Sequence, residues 1–176
     1  TDAGLSAGTE IMGCKVVGND DLLPALYQDG IRNAFVTVGS ITSAKVRHKL
    51  FDNAKSIGFA FPNIIDISAV VSKSVRLGSG IFIGKNTVVN AYAQIRDMAI
   101  INTASVIEHE CIIGAFAHIA VGVTVCGNSI IGTDSFIGAG TTVIQGIQIG
   151  EKVVIGAGSL VLKGIGPDQT VHGIIR

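Results

Sequence analysis

Two carboxylates flank a histidine in Val106–Ile107–Glu108–His109–Glu110–Cys111, in a chain of which only 15% is charged. A carboxylate beside an imidazole fixes which ring nitrogen carries the proton and raises the basicity of the other, as a general base requires. Three polar residues at a solvated corner would look the same. His118 follows nine residues later without an acid beside it, and a lone histidine more often serves structure. A third feature is a smooth track. Gly138–Ala139–Gly140 and Gly156–Ala157–Gly158 stand eighteen residues apart, and Ala120–Val121–Gly122 precedes them by the same interval. Side chains this small leave backbone amides and carbonyls open to a thin extended ligand.

The element that must carry these residues announces itself by period. Every sixth residue from Ile65 to Val161 is aliphatic, without a break. A fixed short period means a solenoid, and a period of six means a parallel β-helix with three hexads per triangular coil. The aliphatic positions then point inward, and Glu108, His109 and Glu110 lie outward or at a corner. Gly recurs just after the inward position (Gly78, Gly84, Gly114, Gly132, Gly138, Gly150, Gly156), where a Cβ would obstruct the turn. The inward series covers about five to six coils and a column roughly 25 Å tall. Burying each aliphatic side chain stabilises by about 1.5–3 kcal/mol before chain entropy is counted. His118, half a coil from His109, can meet it only across an interface between parallel columns.

Composition narrows the partners. Net charge is zero and Trp is absent, so neither a basic patch nor a stacking platform argues for nucleic acid. Cys111 to Thr133 carries no formal charge, but the hexad register runs through it, so it is not a membrane span. No signal peptide is visible. Cys14, Cys111 and Cys126 are odd in number and lack metal spacing, which suggests a reducing, cytoplasmic setting.

Residues 1–62 differ. Asp20 or Asp21 is placed to cap a helix through Gln28, with Gly30 past its end. Ala34–Val38 and Phe59–Phe61 read as short strands. Ile41–Lys55 reads as an amphipathic helix with Val46, Leu50 and Ala54 on one stripe and Gly58 as its stop. Strands alternating with helices predict a small parallel sheet, one that looks incomplete. The fold expected from period and pattern is therefore a parallel β-helix over 63–176, preceded by a small α/β domain over 1–62.

The chain resembles the left-handed β-helix acyltransferases, within them the bacterial nucleotide-sugar branch of bacillosamine-pathway N-acetyltransferases and sialic acid O-acetyltransferase-like proteins. The resemblance rests on Phe61–Pro62–Asn63–Ile64–Ile65–Asp66, on the block from Asn102 to Gly114, and on His118–Ile119–Ala120–Val121–Gly122. It implies a left-handed parallel β-helix over 63–176 preceded by a partial Rossmann-like α/β domain over 1–62, and a homotrimer with acetyl-CoA between two columns and a nucleotide sugar held by the N-terminal domain. It implies His109 as general base, with Glu110 enhancing its basicity. It also implies acetyl-CoA contacts at His118, Ala139 and Ala157, and substrate contacts at Asp2, Gly39 and Asn102. Family members open with a strand, a Gly- and Ser-rich loop containing a histidine, and a helix, which would precede Thr1. His172–Gly173–Ile174–Ile175–Arg176 stands where they carry a Gly-x-Pro-Ala motif.

The activity expected is acetyl transfer from acetyl-CoA to an amino group of a UDP-linked amino-deoxy sugar, with a backbone N–H or His118 holding the oxyanion. O-acetylation of a sugar or sialic acid hydroxyl would use the same base and track. A carbonic-anhydrase-like metal centre needs three histidine ligands, and the β-helix region up to Val161 holds only two histidines. A non-catalytic trimeric scaffold is the remaining alternative.

Overall fold

The computed structural model describes residues 1–176. From Ile64 onward the chain winds through nineteen two-residue strands in three parallel sheets. The first face runs from Ile64–Ile65 to Thr170–Val171. The second runs from Val70–Val71 to Ile174–Ile175, and the third from Arg76–Leu77 to Gln148–Ile149. Register follows the repeat: Ile107 pairs with Val89 below and Val125 above.

The inward row is as its period predicts over most of its length. Every sixth residue from Ile83 to Val161 is at most 2% exposed. Ile65 is 42% exposed, and Val71 and Leu77 are half-buried, because the first coil has none beneath it. Beyond Val161 the coils shorten. Ile149 bridges Ile165, Ile155 pairs Val171 and Val161 pairs Ile175, so the period of six is lost while the stacking persists.

Two features stiffen each coil. A row of buried hydroxyls bonds to carbonyls fifteen residues ahead: Ser105 to Ala120 at 2.8 Å, Ser129 to Ile144 at 3.0 Å, Ser135 to Gly150 at 2.8 Å. These polar groups are buried and satisfied. Backbone φ is positive at every sixth residue from Gly80 to Gly158, including Tyr92, Glu110 and Phe116. The glycines singled out by sequence are not these. Gly138 is needed for close approach, since a Cβ there would stand 2.5 Å from the Ala157 amide nitrogen.

The N-terminal unit departs from expectation. It holds a hairpin of β1 (Glu10–Ile11) and β2 (Cys14–Lys15), a 3-10 turn at Asp20–Leu22, α1 (Leu23–Gln28) and α2 (Lys45–Ile57). Asn19, not Asp20 or Asp21, caps the first turn by accepting from the Asp21 amide. Ala34–Val38 and Phe59–Phe61 form no regular strands: the one parallel bridge is Asn33 to Ala60, just ahead of the first segment. The helix begins at Lys45 rather than Ile41, where the Ser43 hydroxyl accepts from the Lys45 amide at 3.3 Å. It ends at Gly58, whose φ of 112° suits a residue without a Cβ.

The buried stripe of α2 is Arg47, Phe51 and Ala54, whereas Val46 is 58% exposed. This face docks on the corner between the third and first faces. Arg47 donates to the Phe116 carbonyl at 3.0 Å and to the Met98 carbonyl. His48 stacks on the Phe116 ring at 3.7 Å and meets Asp134 at 2.7 Å. Burial lowers the Arg47 pKa to about 10 against the opposing pull of Asp134.

Candidate active site

His109 and Glu110 sit at the corner between the second and third faces, just after the strand Val106–Ile107. Glu110 takes the positive-φ position (φ 60°), and its amide donates to the Ala91 carbonyl one coil below at 2.9 Å. That turn brings its carboxylate back to the preceding ring. His109 Nδ1 lies 3.2 Å from Glu110 Oε2, and both side chains are more than half exposed. A carboxylate accepts, so Nδ1–H donates and Nε2 keeps its lone pair. Glu108 Oε2 accepts from the His109 amide at 3.3 Å. Gly127, one coil above, makes room for the ring: a Cβ there would stand 2.5 Å from His109 Nε2. Sequence reasoning missed Gly127, although adding eighteen to 109 finds it.

The small-residue track is continuous. Gly140 donates to the Val121 carbonyl at 2.9 Å, and Gly158 to the Ala139 carbonyl at 2.7 Å. It runs along the corner between the first and second faces, with Ala157 exposed and Ala139 half-buried. Asn102 lies lower on the same corner, where its Oδ1 accepts from the Thr103 amide at 2.8 Å.

His118 stands on the first face, opposite the corner that carries His109, so one chain does not bring the two histidines together. Its Nδ1 lies 2.8 Å from the Ser40 carbonyl oxygen, and Gly39 is beside it. Burial, aided by the nearby Arg47 cation, holds its pKa below the usual histidine value despite the Ser40 bond. Asp2 lies apart, on a cleft of about 330 Å³ in the N-terminal unit shared with Ala34, Val36 and Leu50. Its Oδ1 accepts from the Gly4 amide at 2.7 Å. Cys111 donates to the Cys126 carbonyl at 3.2 Å, and burial raises its thiol pKa. No three His, Cys, Asp or Glu side chains converge to hold a metal, and no helix is long and apolar enough to cross a membrane.

The depressed His118 pKa has a consequence for stability. Below pH 6.5 the unfolded imidazole takes a proton that the folded one resists. The contribution is therefore present above that pH and is lost as pH falls toward the folded value. Melting temperature should fall more steeply between about pH 7.5 and 5.5 in the parent than in His118→Phe. Parallel slopes would remove His118 from the account.

The hexapeptide repeat of succinyl-transferase matches residues 106–133 and 129–163. A histidine-to-alanine variant of GDP-perosamine N-acetyltransferase from Caulobacter crescentus, solved with CoA and GDP-perosamine, is 36% identical with a TM-score of 0.90. The alignment spans 94% of this chain and 78% of that one. The chain belongs to the hexapeptide-repeat acyltransferase family. Two further members extend the likeness. The acetyltransferase domain of PglB from Neisseria gonorrhoeae, in complex with acetyl coenzyme A, is 33% identical with a TM-score of 0.87, over 97% of this chain and 80% of that one. WeeI from Acinetobacter baumannii is 25% identical with a TM-score of 0.80, over 98% and 81%.

Proposed function

We propose that this acyltransferase moves the acetyl group of acetyl-CoA onto the amino group of a nucleotide-linked amino-deoxy sugar, with His109 as general base. The observation that carries the reading is the His109–Glu110 pair, with Nδ1 tied to a carboxylate and Nε2 free at an exposed corner. Nε2 takes a proton from the amine as its nitrogen attacks the thioester carbonyl. The C–S bond then breaks, and the imidazolium protonates the departing thiolate. Glu110 stabilises the imidazolium between those steps. Backbone N–H groups hold the developing oxyanion.

N-acetylation is favoured over O-acetylation because the Caulobacter relative is an N-acetyltransferase. UDP is the carrier that the resemblance implies, while GDP-perosamine accompanies that relative. The N-terminal unit, 1–62, is the part assigned to the nucleotide sugar, with Gly39 and Asp2 on its side, and Asn102 is assigned to the substrate from the column. Ala139, Ala157 and His118 are assigned to the acetyl-CoA side.

The site is completed by a second copy. The outward row of the second face is Val70, Val88, Val106, Thr124, Thr142, Leu160 and Ile174, without a charge. The His109 corner borders this face on one side and the small-residue track borders it on the other. Three copies with their second faces toward a common axis set one copy's His109 beside the next copy's track, as a closed homotrimer. A monomer by light scattering at micromolar concentration would remove this arrangement.

The test is thiol release from acetyl-CoA with a panel of UDP- and GDP-linked amino sugars and their hydroxyl counterparts. Release with no amino sugar sinks the reading, and release with hydroxyl sugars alone makes the enzyme an O-acetyltransferase. Ala157→Phe should obstruct the track and raise KM for acetyl-CoA by about an order of magnitude, with melting temperature nearly unchanged. An unaltered KM takes the track out of the site.

A further inference from the structure

Residues eighteen apart open the corner between the third and first faces: Gly78, Arg96, Gly114, Gly132 and Gly150. All but one are glycine, so Arg96 breaks the row. Its guanidinium is turned back over the third face and donates to Gln94 Oε1 at 3.3 Å. Gln94 pairs in register with Arg76 one coil below, so the two arginines extend from adjacent coils onto the same strip of surface. Both are exposed, and neither has a carboxylate partner, since the ion pairs of the chain are those of His48 and His109. Like charges this close repel, and an anion between them relieves the repulsion.

The two arginines line a cleft of about 530 Å³ together with Gln94, Asp97, Ala115 and Thr133. Its wall supplies further donors. The amides of Asp97, Ala115 and Thr133 make no hydrogen bond within the chain. Glycines of the row keep two of them uncovered: a Cβ on Gly78 would stand 2.8 Å from the Asp97 amide nitrogen, and one on Gly114 would stand 2.5 Å from that of Thr133. The one acid of the cleft is occupied, because Asp97 Oδ1 accepts from the Ser79 amide at 2.8 Å and from its hydroxyl at 3.3 Å. Planar guanidinium forks beside uncovered backbone N–H groups are the chemistry that recognises phosphoryl oxygens.

We propose that this cleft binds the phosphoryl group of a small phosphorylated molecule, with Arg76 and Arg96 gripping its oxygens and the Ala115 and Thr133 amides completing the cradle. A doubly charged phosphate matches two guanidiniums, whereas a carboxylate would neutralise only one. The volume exceeds that of a phosphate and falls in the range of small-molecule sites, so a nucleotide-sized ester fits. The cleft is separate from acetyl transfer. His109 lies at the opposite edge of the third face, and the small-residue track lies at the corner between the first and second. In the trimer proposed above, the third face looks away from the axis and stays open.

The test uses the full chain in its assembled state, labelled with ¹⁵N at arginine. The Nε–Hε signals of Arg76 and Arg96 are identified by their loss in Arg76→Gln and Arg96→Gln. They are then followed as inorganic phosphate, inorganic pyrophosphate or a nucleoside diphosphate is added. Saturable shifts of both signals are expected, with affinity falling as salt rises because the site is exposed. Either variant should weaken binding by about tenfold, the factor one charge-assisted hydrogen bond is worth, read on the arginine that remains. Equal affinity for pyrophosphate and the nucleoside diphosphate places the recognition in the phosphoryl groups. Tighter binding of the nucleoside diphosphate means that the cleft also holds the nucleoside. Signals that drift without saturating, or an affinity unchanged in both variants, overturn the site. The parent titration decides by itself if a variant folds poorly, and it stands whether or not the parent acetylates sugars. Arg96→Gln should also leave KM for acetyl-CoA and for the nucleotide sugar at their parental values. A rise in either would merge the cleft with the transfer site and overturn its separateness.

Discussion

His109→Ala is expected to lower kcat by about 10²–10⁴, the usual range for general-base catalysis, while KM for acetyl-CoA stays near its parental value. The two quantities separate because the residues that serve them are on different edges of the column. His109 belongs to the corner between the second and third faces, and Ala139 and Ala157 to the corner between the first and second. Its side chain is more than half exposed, so truncation removes little buried surface and stability should hold. Glu110→Gln still accepts from Nδ1–H but gives the imidazolium no charge to face. Since a charge-assisted bond is roughly twice as strong as a neutral one, its loss of kcat should be the smaller of the two. Gly127→Ala tests the geometry without touching the base, because the added Cβ would stand 2.5 Å from Nε2. Parental kcat in His109→Ala with a sugar substrate ends the catalytic assignment, and a loss confined to KM would mean that His109 only binds.

How much of this was legible in the sequence depends on whether the controlling contact is local, periodic or neither. Glu110 is next to His109 in the chain, so the pair could be read directly. Coil stacking is periodic, so Ala139 beneath Ala157 could be read by counting eighteen, and Gly127 above His109 could have been. The Ser40 contact to His118 spans seventy-eight residues, from an N-terminal unit without a repeat to the repeating column, and no spacing rule reaches it. The same limit explains α2. Arg47 reads as a solvent-facing residue on the pattern of Val46, Leu50 and Ala54. It is buried because the carbonyls of Met98 and Phe116, at the left-handed corners, need donors from outside the coil. Ala34–Val38 has the composition of a strand, but a strand needs a partner along its length, and only Asn33 and Ala60 meet.

Ile113→Asp is expected to destabilise the column by several kcal/mol, whereas Ile112→Asp on the same strand should cost far less. The argument is one of register. Successive residues of a strand face opposite sides, so a slip of a single residue exchanges the two outcomes. Ile113 is fully buried and stacks between Ile95 below and Ile131 above. The inward neighbours of that row are aliphatic, and nothing there can pair a carboxylate. Aspartate would have to ionise in a dry prism or protonate and remain unsatisfied, and either course is costly. It would also leave the space of an isoleucine side chain partly empty, with the loss of contacts to both neighbouring coils. Ile112 faces outward and is half-buried, so a carboxylate there keeps its water. Thermal melting of the two variants decides the matter. A large drop for Ile113→Asp with a small one for Ile112→Asp fits the inward row, equal drops would mean that the third face is covered, and a reversed order would place the whole series from Ile83 to Val161 on the outside.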